Sequence, residues 1–321
     1  MPILASHYNP PHLFKNGHFA TIYSGKIRHV KGVQQKREEI TTPDNDFLDL
    51  DWSFSEEKTN KLVVILHGLE GNAQRPYITG SAKIFNQNGY DAVCLNYRTC
   101  SGKINKNFRS YHSGDTDELE WVINFILKKY NYHHIVLKGF SLGGNLTLKY
   151  LGQHKIPSEI KIAIAVSAPC DLYGSMLEIH KRKNYLYALR FKRTLLAKLK
   201  EKQKLFPEKV SKTDVKKIIT LKDFDDFYTS KAHGFINALD YYDKSSSLQF
   251  LKNIEVPTLI LNAKNDSFLS ESCFPIEEAR KNNNLFLEIP AYGGHVGFYD
   301  AHNVYYNEKR ALEFATKFTK F

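Results

Sequence analysis

The chain has 321 residues, of which 42% are hydrophobic and 13% aromatic, so it can bury a large core and is not a disordered polymer. Its formal net charge of +11 admits nucleic acid, an anionic membrane surface or simple solubility, but no nucleic-acid motif accompanies the lysines. No apolar run approaches the roughly 20 residues of a spanning helix, and the first residues lack a basic and apolar leader, so a soluble, cytoplasmic protein is expected.

In chain order, the first 60 residues are mixed. Val30 to Ser53 alternates as an edge hairpin does, with Pro43-Asp44-Asn45-Asp46 as its turn. Asn16 to Tyr23 has no spacing that assigns it a structure. From Lys61 the texture changes. Lys61–Leu66, Asp91–Asn96, 134–138, 162–166, Thr258–Leu261 and 285–289 are continuous apolar runs, as expected of strands buried on both faces. Helical patterns lie between them at 78–88, 116–130, 277–282 and 307–318. Alternating buried strands and helices predict an α/β fold with a mostly parallel central sheet and helices on both faces. The alternation lapses between about Asp171 and Val256. There Tyr185, Leu186, Leu189, Phe191, Leu195, Leu196 and Leu199 form a helical stripe among lysines and arginines. A helical cap inserted at about 172–250 into a single domain spanning 1–321 is expected, over the sheet edge where such folds bind ligands.

One pentapeptide organises the rest. Gly139-Phe140-Ser141-Leu142-Gly143 follows a strand and precedes a helix, the context of a nucleophile elbow. A glycine-flanked serine is otherwise only a flexible turn, and the flanking elements favour the catalytic reading. A serine nucleophile needs a base and an acid to orient it. Asp266 follows the strand 258–261, and His295 follows the strand 285–289 among glycines, so Ser141, Asp266 and His295 are the candidate triad. Asp171, after the strand 162–166, is the rival acid; Asp240 and Asp243 look like surface or capping residues. The oxyanion hole is expected from the backbone N–H groups of Leu142 and of Leu69, in the loop His67-Gly68-Leu69-Glu70-Gly71 after the first buried strand. The four cysteines form no C-x-x-C pair and are expected as buried or incidental thiols.

These motifs, with Asn265-Asp266 and Gly293-Gly294-His295-Val296-Gly297-Phe298, resemble the α/β-hydrolase superfamily. The nearer resemblance is to its YheT-like branch, related to eukaryotic medium-chain acyl-ester hydrolases. Arg75-Pro76-Tyr77, Tyr111-His112-Ser113-Gly114, Asp226-Phe227-Tyr228-Thr229, His233-Gly234-Phe235 and Tyr241-Tyr242 carry it, from about Asn16 to the end. The resemblance implies the triad Ser141, Asp266 and His295. One departure is that the family often reads D-D-P-F where this chain has Asn265-Asp266-Ser267-Phe268, which keeps the second carboxylate and loses the first.

A serine carboxylesterase acting on short- or medium-chain acyl esters is therefore expected, without cofactor or metal, since no metal-ligand spacing such as H-E-x-x-H appears. The alternatives are acyl transfer, lipase-type activity on glycerolipids, or a non-catalytic binding protein on the same scaffold. The expected partner is a small-molecule acyl ester and not nucleic acid. A basic cap admits weak peripheral contact with an anionic membrane. Oligomeric state is not legible.

Overall fold

The computed structural model describes residues 2–319, so Met1, Lys320 and Phe321 of the expected single domain lie outside the described residues. The strands are Ile3–Leu4 (β1), Lys36–Thr41 (β2), Phe47–Ser53 (β3), Lys61–Leu66 (β4), Asp91–Asn96 (β5), His134–Phe140 (β6), Ile160–Val166 (β7), Thr258–Leu261 (β8) and Leu285–Glu288 (β9). They form one nine-stranded sheet in the order β1-β9-β8-β7-β6-β4-β5-β3-β2. Pairing is parallel from β1 to β5, and β3 and β2 add an antiparallel edge. The hairpin turns at Thr42–Asp46, where Asn45 takes φ 59°, a conformation asparagine tolerates. Its first strand starts only at Lys36, later than the alternation suggests.

The helices are Gly17–Ile22 (α1), Pro76–Asn86 (α2), Thr116–Lys129 (α3), Leu142–Gln153 (α4), Leu172–Ile179 (α5), Tyr185–Leu205 (α6), Lys212–Lys217 (α7), Leu221–Phe224 (α8), Ser230–His233 (α9), Ala238–Ser245 (α10), Ile276–Lys281 (α11) and Tyr306–Thr319 (α12). Side chains alternate across each strand, so Leu62, Val64 and Leu66 of β4 pack with α3 and α4. Val63 and Ile65 face the other way, into α2 and α12. Burial on both faces is why these runs carry no polar alternation. No helix among the described residues is long and apolar enough to cross a membrane.

Between β7 and β8 the chain is helical, α5 to α10. Here the structure departs from the stripe read from the sequence. Leu195 and Leu199 are buried in a cluster with Ile179, Leu221 and Phe224. Tyr185, Leu186 and Leu189 are exposed instead, because at the start of α6 it is Tyr187, Ala188 and Phe191 that turn inward against this cluster.

The N-terminal segment is tied to α12 by a buried ion pair. Arg28 donates from Nη1 to Glu308 Oε1 at 2.6 Å and from Nη2 to Oε2 at 2.9 Å, and both side chains are about 1% exposed. The guanidinium also lies 3.6 Å from the Tyr305 ring centroid. Removing one partner strands a buried charge. Glu308→Leu is therefore expected to destabilise the protein by about 3–5 kcal/mol, read by chemical denaturation. A loss below about 1 kcal/mol, typical of an exposed pair, would mean that water reaches the guanidinium.

Candidate active site

The loops that follow β4 and β6 part company at the carboxyl edge of the sheet. From β4 the chain moves to β5 on one side, and β6 lies on the other, so a crevice opens between them. Ser141 sits there, between β6 and α4, with φ 54° and ψ −118°. That left-handed conformation is strained for a serine and points its side chain out of the turn. The turn is this tight only because glycine flanks it. A Cβ on Gly139 would stand 2.1 Å from the Gly143 carbonyl oxygen, and one on Gly143 would stand 2.5 Å from that of Leu66. No side chain fits either gap.

Across the crevice, the loop after β4 is pinned from beneath. His67 Nδ1–H donates to the Gly68 carbonyl at 2.8 Å, and its Nε2 accepts from the Tyr97 N–H at 3.3 Å. Burial pushes this imidazole down to about 3, so it stays neutral in that tautomer. Glu70, at φ 54°, is held by the Tyr111 hydroxyl and by Lys198 Nζ of α6, each 2.8 Å from Oε1. Leu69 lies between these anchors. Its N–H and that of Leu142, the first helical amide, donate no hydrogen bond among the described residues, and both residues border the Ser141 cavity.

The other two sequence-predicted side chains come to the same edge, from the ends of β8 and β9. His295 Nε2 lies 2.8 Å from Ser141 Oγ, and its Nδ1 lies 2.8 Å from Asp266 Oδ2. Asp266 is 4% exposed and His295 8%, and Asp266 Oδ1 accepts from the Phe268 N–H at 2.9 Å. The Phe268 ring covers the imidazole, with centroids 4.3 Å apart. Asp171 takes no part in this cluster. It caps α5 through the Gly174 N–H at 3.0 Å and accepts from the Ser272 hydroxyl at 2.6 Å. Asp240 accepts from the Ile236 N–H and pairs with Lys244, as a capping residue does.

Three supports of the site were not legible in the sequence. Helix α1, the segment with no assignable spacing, lies against the histidine loop: Thr21 Oγ1 accepts the His295 N–H at 2.8 Å. Asn265, where the family often has a carboxylate, accepts from the Gly294 N–H and donates to the Lys15 carbonyl, both at 2.9 Å. A carboxylate could not make the second bond, so the amide is fitted to this chain's N-terminal segment. Asn145, fully buried in α4, donates to the carbonyls of Ser113 and Ser245 and accepts from the Ser247 N–H. It fastens the elbow helix to α10. Only the Gly144-Asn145 dipeptide beside the elbow hinted at this.

The cavity has two lobes that meet at Ser141. One is apolar, formed by Leu172, Met176, Ile179, Leu195 and Leu221, and holds about 150 Å³. The other opens between α1 and α6. Elsewhere His112, Asp115 and His233 bring ligand-type atoms within 4.8 Å of one another. Asp115 Oδ2 there accepts from Arg109 at 2.7 Å, and a guanidinium at that distance opposes a cation.

A family model described as alpha/beta hydrolase fold matches residues 61–302. The chain is 29% identical to the YheT protein of Escherichia coli (strain K12), covering 92% of this chain and 87% of that one. It is 28% identical to a phospholipase of Mus musculus, with 92% and 74% covered. A monoacylglycerol lipase of Homo sapiens is 29% identical over 93% of this chain and 76% of its own. Among solved structures, the Pyrococcus furiosus esterase superposes with a TM-score of 0.60 at 18% identity, covering 90% of this chain and 92% of that one, a likeness of fold.

Proposed function

The chain belongs to the alpha/beta hydrolase family, and from that premise we propose that it is a serine carboxylesterase that cleaves short- or medium-chain acyl esters through an acyl-enzyme. One observation carries the reading: the unbroken line from Asp266 through His295 to Ser141, with both contacts at 2.8 Å. Ser141 Oγ attacks the ester carbonyl and His295 Nε2 takes its proton. Asp266, accepting from Nδ1–H, holds the tautomer in which Nε2 is free to do so. As the tetrahedral centre forms, charge grows on the former carbonyl oxygen, and the N–H groups of Leu69 and Leu142 stabilise it. The imidazolium then protonates the leaving alcohol, and water, activated by the same histidine, releases the acid. Names of relatives that include phospholipase and monoacylglycerol lipase support an ester substrate.

The segment at about 172–250 serves as the cap. Its inward side chains form the apolar lobe, and a cavity near 150 Å³ holds a group about the size of benzene. That supports an acyl group of short to medium length. The exposed Tyr185, Leu186 and Leu189 beside basic residues of α6 support a weak peripheral contact with an anionic membrane.

A fluorophosphonate probe tests the assignment directly. It is expected to label a single serine, in the peptide that contains Ser141, and p-nitrophenyl esters are expected to turn over fastest at short to medium chain length. Labelling elsewhere, or none, removes the reading.

A further inference from the structure

The second lobe of the cleft is basic. Lys26, just after α1, Arg75, at the start of α2, and Arg190, on α6, all line it beside Ser141 and His295. Three distant parts of the chain thus bring like charges to one small space. Repulsion makes that arrangement costly unless an anion joins it. Burial and the nearby Arg190 and Arg75 charges hold Lys26 below its ordinary value, and burial with Arg75 does the same to Arg190, so the three groups feel one another.

None of the three is in an ion pair among the described residues. Glu70, the carboxylate that lines this lobe, is already held by Lys198 and the Tyr111 hydroxyl. Two other cations of α6 are committed elsewhere: Lys198 pairs with Glu70 and Lys204 with Glu201. What sets Lys26, Arg75 and Arg190 apart is that they converge on one lobe beside Ser141. Arg75 is also fixed in place, because its Nη2 donates to the Glu70 carbonyl at 2.9 Å, which leaves other guanidinium N–H groups for a ligand. The Arg75-Pro76-Tyr77 motif thus both braces the loop after β4 and contributes a guanidinium to this lobe.

We propose that this basic lobe binds an anionic, phosphate-class group carried on the alcohol side of the ester, with Arg75, Arg190 and Lys26 as its specificity-determining residues. The inference rests on the serine-esterase reading. With the carbonyl fixed at Ser141 and the acyl chain in the apolar lobe, the leaving alcohol is directed into the remaining lobe, on the side open between α1 and α6. Planar guanidinium groups pair with phosphate through two parallel hydrogen bonds, which favours arginine in such a role. The phosphate of a free ester and that of a lipid headgroup present the same chemistry.

The test compares 1-octanoylglycerol with 1-octanoylglycerol 3-phosphate, both below their micellar concentrations. The wild-type protein is expected to favour the phosphate ester in kcat/KM by about tenfold or more, a preference that falls as salt rises. Arg75→Gln with Arg190→Gln is expected to bring the ratio close to one. Because Arg75 also braces the Glu70 loop, the exposed pair Lys26→Gln and Arg190→Gln is the second variant, with the same ratio as readout. Equal kcat/KM on the two esters both in solution and in vesicles, or a preference that survives in both variants, overturns the inference. Repeating the comparison in phosphatidylcholine vesicles identifies the source of the anion. A preference seen only there assigns a lipid headgroup, and one seen in solution assigns a free phosphate ester. If neither ester turns over, the esterase reading fails on its own. Calorimetric binding of the same two compounds to Ser141→Ala then decides the anion question: tighter binding of the phosphate ester sustains it, and equal binding ends it.

Discussion

Ser141→Ala is expected to lower ester hydrolysis by about five to six orders of magnitude, because serine and histidine act as one unit and loss of either removes nearly all that the pair supplies. Only the residual acceleration from the oxyanion hole and substrate binding survives. The fold is expected to stay intact. Ser141 Oγ has His295 Nε2 as its hydrogen-bond partner, and the left-handed backbone there is strained for alanine and serine alike. The measurement is kcat on a p-nitrophenyl ester, with thermal unfolding as the control. A variant that keeps a tenth of the wild-type kcat and melts normally places the nucleophile elsewhere.

Asp266→Asn is expected to reduce kcat by about ten-thousandfold. The wild-type carboxylate accepts from His295 Nδ1–H at 2.8 Å, which leaves Nε2 free to take the serine proton. An amide NH2 facing Nδ1 reverses the tautomer and turns Nε2 into a donor, so the base is lost while the geometry remains. Asp171→Asn is the matched control. An asparagine there still accepts from the Gly174 N–H as the cap of α5, so its effect on kcat is expected to stay within a few-fold. The reverse pattern would move the acid to the loop after β7 and undo the assignment of Asp266.

Most of the sheet and the place of the serine were legible in the chain. A run such as Leu62-Val63-Val64-Ile65-Leu66 has no polar alternation, and only a strand covered on both faces suits it. The elbow was legible for a local reason too: a serine in a left-handed turn needs glycines two residues away on either side, where any Cβ would strike backbone. These are properties of short stretches, and the physics that decides them acts within a few residues.

Other features depended on neighbours far away in the chain. Asp266 and Asp171 both follow buried strands at the same sheet edge, and no spacing separates them. The sheet order separates them, because β9 carries His295 beside β8 rather than beside β7. The N-terminal helix had no periodicity to read, since its six residues hold few apolar side chains in register. It matters through a single hydroxyl, Thr21, that reaches the histidine loop. Tyr185, Leu186 and Leu189 looked like part of a buried stripe, because apolar residues stand all round the start of α6 and only the neighbours decide that Tyr187, Ala188 and Phe191 face inward. The gathering of Lys26, Arg75 and Arg190 was hidden among 45 lysines and arginines. Charge acts through space, so only the tertiary fold determined which three of them share a cleft.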